Sequence, residues 1–443
     1  MDRALDLGSI STRQRRIAQI AEIHKDARLN TLSHNIDIHW LFEAWRITKK
    51  SGAGGVDGIS AREYESKLHD NLDFLLERFK SGEYYAPPVK RAYIPKENGE
   101  KRKIGVPTVD DKVLQRAVHM LLEPIYELMF YNFSFGFRKG KNQHQALEHL
   151  WQVLMDFRGG WVLSVDIKGF FDTVRHADMR EFLARRVGDG VIRRMVNKWL
   201  KAGVLEGELL SMSEEGTPQG GVISPLLSNI YLHYVLDEWL MEVVRPRLRG
   251  ACEMIRFADD FLIVFSYEKD ARRVADVIVD RFSKYGLTIH PEKTKLIDFR
   301  RPFSGPSGRN GGGGKPGKLE FLGFMLHWGR SRKGNWVVRR KTAKSRFKRS
   351  LKKMDDFLRE NRFLKIRDQW EKICIKMKGH YQYFGVTGNY ATLQRYAYQV
   401  RRRWLFWLRR RSQRQRLPWE RFREILKHLP LPKPHIPKSV YQT

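Results

Sequence analysis

The stretch IRFADDFLIVF, residues 255–265, restricts the fold more than any other part of the chain. Its flanks have the β-branched and aromatic make-up of buried strands, yet two adjacent carboxylates, Asp259 and Asp260, interrupt them. Neighbouring side chains on a regular strand point to opposite faces, so a single straight strand would force a charge into a core. A hairpin with Ala258-Asp259-Asp260 at its tip removes the conflict. Even there, burying the pair without a metal or a basic partner is costly. A second apolar run, WVLSVDI, ends in Asp166 where the chain leaves a sheet. Gathering Asp166 with Asp259, and with Asp260 as the less constrained neighbour, concentrates negative charge at a cost that a bound dication cancels. Two Mg²⁺ ions roughly 4 Å apart, or Mn²⁺ in their place, give such a cluster the chemistry of nucleotidyl transfer. A lone aspartate is more simply a turn former or a helix cap, and Asp172 in FFDTV is expected as a helix N-cap.

Around these two runs the pattern alternates strand, helix and hairpin, which predicts an α+β domain. Residues 12–28 place Ile17, Ile20 and Ile23 on one stripe of a basic amphipathic helix, and a second helix runs through Leu68, Leu72, Leu75 and Phe79. YAPPVKRAYIPKENGEKRKIGVP, residues 85–107, reads as two strands joined at an Asn-Gly turn, followed by helices near 110–130 and 141–156. After the turn segment GTPQGG, a long helix is expected from Ser224 to about Val244, then the acidic hairpin, a helix over 268–285, and strands GLTIH and KLIDF. A Gly-rich loop over 304–318 carries no core-forming residue, LEFLGFMLHW reads as one strand with a hairpin partner near NWVVRR, and basic helical sequence follows.

Lys and Arg outnumber Asp and Glu by 83 to 50, a net charge of +33 spread along all 443 residues. That distribution implies a polyanionic partner and suits nucleic acid better than a membrane surface. Cys252 and Cys374, far apart and without a CxxC pair, support neither a disulfide framework nor a zinc module. No signal-peptide run or membrane-spanning apolar stretch is expected, which fits a reducing bacterial cytoplasm or nucleoid.

VDIKGFFDTV, GTPQGGVISPLLSNIYL, RFADDFLIVF, GLTIHPEKTK and FLGF stand in the order and spacing of reverse-transcriptase motifs. The chain resembles bacterial group II intron-encoded reverse transcriptases and maturases over about residues 30 to 430, with Phe257 where most of that family has Tyr. The resemblance implies a right-hand polymerase: an N-terminal extension and the start of the fingers over 1–85, fingers over 86–160, a palm of antiparallel sheet plus helices over 161–335, and a helical thumb or maturase X domain over 336–412. A short basic region, 413–443, is expected to meet DNA, and neither a His-Asn-His endonuclease nor an RNase H domain is expected. Asp166 and Asp259 would be the main metal ligands, with Asp260 completing the acidic cluster.

The resemblance also places Phe171 under the incoming sugar, where its ring would clash with a 2′-hydroxyl; by spacing alone it is equally well a core aromatic. Lys96 and Arg102, flanking the early hairpin turn, match the cations that reach over a triphosphate. Gly220 and Gly221 would let backbone approach a ligand, Ser224-Pro225 would open a helix as N-cap and N1, and Gln219 would face the nascent base pair. Lys293 matches a lysine placed to protonate pyrophosphate. In the thumb, Arg401, Arg402, Arg403, Arg409, Arg410 and Arg411 have no acid among them and are expected to meet phosphates, while the interleaved aromatics are mostly packing residues.

Three functions follow as expectations. The first is a reverse transcriptase that copies its intron RNA during retrohoming, with an RNA template, a DNA primer, target DNA and dNTPs as partners. The second is a splicing maturase that binds the structured intron RNA, with polymerisation dispensable. The third is a free-standing relative recruited to DNA repair or antiviral defence.

Overall fold

Helix capping and apolar spacing set the first elements. The computed structural model describes residues 7–95, 101–207, 209–211, 216, 220–302, 317–331, 333–411 and 417–437. The chain divides into two units, residues 1–146 with 163–296, and residues 147–162 with 297–443. The divisions expected at 85, 160 and 335 are functional subdomains, which compactness does not delimit.

The helices are α1 (Leu7–Ile23), α2 (Ile38–Ile47), α3 (Ala61–Ser66), α4 (Leu68–Ser81), α5 (Val109–Glu127), α6 (Gln143–Asp156), α7 (Phe170–Thr173), α8 (His176–Arg186), α9 (Gly190–Leu200), α10 (Ser224–Leu232), α11 (Glu268–Lys284), α12 (Lys344–Glu360), α13 (Ile366–Phe384), α14 (Tyr390–Arg409) and α15 (Trp419–His428). The strands are β1 (Val89–Pro95), β2 (Lys101–Val106), β3 (Trp161–Asp166), β4 (Val204–Glu206), β5 (Leu209–Ser211), β6 (Cys252–Phe257), β7 (Asp260–Phe265), β8 (Lys295–Asp298), β9 (Leu319–Phe321), β10 (Phe324–Arg330) and β11 (Trp336–Thr342).

In the first unit, α5 is the central helix, buried on most faces and started by Thr108, whose Oγ1 accepts from the Asp111 amide at 3.3 Å. Trp40 of α2 is fully buried and donates its indole N–H to the Ala117 carbonyl at 3.0 Å. The stripe expected on α1 is corrected: Ile17 is buried, but Ile20 and Ile23 are 40% and 75% exposed, and Ile10 and Ala21 face inward instead. Residues three apart drift about 60° per step around a helix, whereas spacings of seven and four stay on one face. The stripe on α4 holds, with Leu72, Leu75 and Phe79 buried and Gly82 closing the helix at φ 82°.

Strands β1 and β2 pair antiparallel, with Ile94 opposite Arg102, in a sheet of order β2-β1-β4-β5. A second sheet has the order β6-β7-β3-β8. Every residue of β7 after Asp260 is buried, as expected of a strand covered on both faces. The helix expected from Ser224 to Val244 is α10 continued by two π-helical stretches, His233–Asp237 and Trp239–Val244.

In the second unit, LEFLGFMLHW is two strands rather than one. Leu322 and Gly323 both have positive φ, 47° and 79°, and turn β9 back on β10, with Phe321 opposite Phe324. A two-residue hairpin turn needs that backbone, and the apolar Leu322 hides the signal that Asn-Gly would have given. Helices α12 to α15 pack around buried Trp404, whose indole donates to Gln369 Oε1 at 2.9 Å. The expected basic coda is part of this packing: Phe422 of α15 meets the Trp404 ring at 5.5 Å, and Trp370 donates to the Pro430 carbonyl at 3.0 Å. Most of the Gly-rich loop, 303–316, lies outside the described residues. No helix among the described residues is long and apolar enough to cross a membrane. Cys252 and Cys374 are buried and free.

Candidate active site

Strands β3 and β7 are neighbours in one sheet, which makes Asp166, the last residue of β3, and Asp259, the residue before β7, candidates for one site. The Asp166 carbonyl accepts from the His290 amide at 2.8 Å, and its carboxylate, 45% exposed, pairs with Lys293 Nζ at 2.9 Å. Asp259 is half-buried. Burial holds its carboxyl above the ordinary carboxylate range, and the negative charge of Asp166 pushes the same way, while Arg102 and Arg256 pull it down. Asp259 thus senses the charges of both Asp166 and Arg102.

Asp260 occupies a different position in the turn. The hairpin closes in two residues, so Asp260 pairs in register with Phe257 and opens β7 as an exposed strand residue. No group of three or more His, Cys, Asp or Glu that could hold a metal occurs among the described residues. The carboxylates of Asp166 and Asp259 are the kind of donor that fits Mg²⁺, an ion commonly held by one or two carboxylates with substrate phosphates and water.

Phe170 and Phe171 divide the roles that spacing left open. Phe170 is buried and packs toward Tyr231, while Phe171 is half-exposed with its ring edge-on to Phe170 at 5.5 Å. The core therefore uses Phe170. Asp172 is not the N-cap: it lies exposed within α7, and the cap position is Gly169 at φ 59°, whose carbonyl accepts from the Asp172 amide at 2.8 Å. Gly169 can take that left-handed backbone without strain and displaces the cap by three residues. Beneath this turn, the Gly216 amide donates to the Val174 carbonyl at 2.7 Å.

Lys96 and Gln219 lie outside the described residues. Arg102 is exposed on β2. Gly220, at φ 124°, is close to protein backbone rather than to an open ligand space: a Cβ there would lie 2.5 Å from the Gly105 carbonyl of β2. Ser224 is the first residue of α10, with Ile223 before it, so the start is one residue earlier than expected. Sequence reasoning missed Gln115, whose Oε1 accepts from the Val222 amide at 2.7 Å. It also missed Arg256, Asp237 and Asn229, buried polar residues in apolar elements that surround the Asp259 turn. A charged residue inside an apolar strand was the available signal for Arg256.

A family model described as reverse transcriptase (RNA-dependent DNA polymerase) matches residues 94–326, a span that contains β3, the acidic hairpin and Lys293. The chain belongs to the reverse transcriptase family. Among known proteins, it is similar to protein YkfC of Escherichia coli K12, 39% identical over 240 residues, which cover 53% of this chain and 63% of that protein. It is also similar to the group II intron-encoded protein LtrA of Lactococcus lactis, 40% identical over 209 residues, which cover 47% of this chain and 34% of that protein. A more distant likeness, 25% identity over 225 residues, links 44% of it to 31% of the nuclear intron maturase 3 of Arabidopsis thaliana. The chain spans less than two thirds of the curated relatives it matches first. The kinship expected from the motifs holds.

Outside the matched span, the arginines of α14 and of the two residues after it do not act alike. Arg403 pairs with Asp355 of α12 at 2.9 Å, which corrects the expectation that these arginines lack an acid: the partner comes from another helix. Arg409 donates to the Leu417 carbonyl at 2.8 Å, and Arg411 to the Arg362 carbonyl at 2.6 Å. Arg401 lies over the Tyr398 and Trp419 rings, Arg402 over Tyr398, and Arg410 over Phe406. Arg402 and Arg410 are exposed and have no acidic partner among the described residues.

Proposed function

We propose that this reverse transcriptase is an RNA-directed DNA polymerase of the group II intron type that also binds a structured intron RNA as a maturase. The polymerase reading rests on one observation: Asp166 and Asp259 sit at adjoining strand ends inside the family match, and the Asp259 carboxyl is held above the ordinary range by burial and by the charge of Asp166. In this reading the first unit supplies fingers and palm, and the helices of the second supply the thumb. Asp166 and Asp259 would hold Mg²⁺, which when bound supplies activation of a primer 3′-hydroxyl and charge stabilisation of the leaving pyrophosphate.

The remaining roles belong to the chain's own groups. The pairing of Lys293 with Asp166 at 2.9 Å supports its role as the donor of a proton to the departing pyrophosphate. Arg102, whose charge reaches Asp259, meets the triphosphate, with Lys96 assigned to the same task. Phe171 excludes a 2′-hydroxyl, so dNTPs are selected, and Gln219 faces the new base pair. Exposed Arg402 and Arg410 meet phosphates of the bound RNA, and the helix over 419–428 contributes to contact with target DNA. The likeness to proteins named group II intron-encoded protein and intron maturase supports the RNA half of the proposal.

The test is primer extension with dNTPs on an RNA template, beside intron binding and assisted splicing. Asp259→Asn is expected to abolish extension and leave RNA binding and splicing intact. Normal extension by that variant would remove Asp259 from the site.

A further inference from the structure

The turn that carries Asp259 has an unusual backbone. Phe257 and Asp260 close the hairpin, leaving Ala258 and Asp259 as its two central residues. Ala258 has φ 60°, a conformation that two-residue hairpins give to glycine, asparagine or aspartate. It is also 93% buried, with the Gly136 backbone so near that a Cβ on Gly136 would lie 2.3 Å from the Ala258 amide nitrogen. A strained residue persists only where its surroundings over-determine it.

Those surroundings form a closed set of hydrogen bonds. Arg256, on the strand entering the turn, is fully buried and forks onto Asp237, also fully buried, through Nε at 2.8 Å and Nη2 at 2.5 Å. Its remaining Nη1 donates to the Ala258 carbonyl at 3.2 Å and to Asn229 Oδ1 at 3.0 Å. Asn229 in turn donates from Nδ2 to the Gly136 carbonyl at 2.7 Å. The backbone of Arg256 is held too, donating to Phe133 O at 2.9 Å and accepting from Phe135 N at 2.8 Å. Asp237 closes the first π-helical stretch after α10, and such stretches recur at functional sites.

A buried ion pair is weak evidence for stability, because desolvation offsets its attraction. This pair is mutually neutralising, and its third contact lands on the carbonyl immediately before Asp259. We infer that Arg256, Asp237 and Asn229 form a bracket that fixes the Ala258–Asp259 turn, making them positioning residues for the reaction. They reach Asp259 only through the backbone and are not catalytic residues. The inference rests on the polymerase reading of Asp166 and Asp259.

The test compares the full chain with Asn229→Ala, Ala258→Gly and Asp259→Asn in two assays: steady-state primer extension and Mn²⁺ binding followed by electron paramagnetic resonance. Asn229→Ala is expected to lower kcat 10- to 100-fold, with the KM for dNTP and the affinity for primer–template within threefold of wild type. Ala258→Gly removes the strain and no buried partner, so it is expected to fold with an unchanged or higher Tm, yet to lose at least fivefold in kcat and bind Mn²⁺ several-fold more weakly. That combination is one a purely stabilising role would not produce. If Asn229→Ala does not fold, Ala258→Gly decides. Wild-type kcat and Mn²⁺ affinity in Ala258→Gly would overturn the bracket while Asp259→Asn, inactive, left the polymerase reading standing. Should Asp259→Asn alter neither extension nor Mn²⁺ binding, the site reading fails and the bracket falls with it.

Discussion

Asp111 offers a prediction whose size follows from its surroundings. It lies in the first turn of α5, 99% buried, where Tyr84 OH donates to its Oδ1 at 2.6 Å and Trp199 Nε1 at 2.8 Å. Burial outweighs these donors and pushes its carboxyl from the ordinary 3.8 up to about 6. An acid raised in the folded state is protonated there while the unfolded chain has already released its proton. The resulting stability is fully present below the unfolded value and lost as pH rises through the folded one. A shift of roughly two units at 1.36 kcal/mol each makes the loss about 3 kcal/mol between pH 4 and pH 7. Asp111→Asn keeps an acceptor for both donors and cannot ionise. Urea unfolding of variant and wild type across that range should give curves that coincide near pH 4 and separate by about 3 kcal/mol at pH 7, with the variant the more stable. Parallel curves, or a variant less stable at pH 7, would show that Asp111 is ionised in place and that its two donors outweigh burial.

Asp259→Asn should raise Tm in metal-free buffer while reducing extension at least ~100-fold, because the same change removes repulsion from Asp166 and a metal ligand; a lowered Tm would contradict the repulsion. Phe171→Ala should raise incorporation of rNTPs relative to dNTPs in single-nucleotide extension, and an unchanged sugar preference would return the ring to packing. Arg402→Glu with Arg410→Glu should weaken RNA affinity and flatten its salt dependence by about 1.5 to 2 in log–log slope. Arg403→Ala, by contrast, should lower Tm through loss of Asp355 with little change in that slope. Equal slopes for all three proteins would detach α14 from phosphate.

The motifs made the acidic hairpin legible because charge inside an apolar run has few structural solutions. Asp166 was legible for the same reason, standing at the end of WVLSVD. What stayed hidden depended on partners distant in sequence. Asp355 lies 48 positions before Arg403, and Asp237 lies 19 before Arg256, so no local pattern announces either pair. The turn at Leu322-Gly323 stayed hidden because leucine supplied neither polarity nor a known turn signature, and backbone pairing with β10 decided it. Asp172 was misread because α7 begins earlier, after a left-handed backbone at Gly169 that glycine adopts without strain, which leaves Asp172 inside the helix.

The net charge also needs dividing before it is equated with RNA binding. Arg138, Arg186, Arg256 and Arg340 are all at least 92% buried, where they cannot meet a phosphate. Arg186 donates to the carbonyls of Ala21 at 2.9 Å, His24 at 2.7 Å and Ala27 at 2.9 Å, gathering the orphan acceptors where α1 ends. Arg138 binds Glu127 at 2.7 Å and the Ser134 carbonyl at 2.8 Å, fixing the segment whose Phe133 and Phe135 backbone pairs with Arg256. Arg340 pairs with Glu148 at 2.6 Å in the second unit. A guanidinium serves in these places because its planar fork satisfies several carbonyls or a carboxylate at once, which a lysine cannot reproduce. Arg138→Lys would therefore keep the +33 charge yet disturb the turn before Asp259, whereas Arg402→Lys keeps the charge that the proposed phosphate contact needs. In this chain, the sensitivity of an arginine to lysine replacement is expected to separate buried arginines that hold carbonyls and carboxylates from the exposed ones proposed to face nucleic acid.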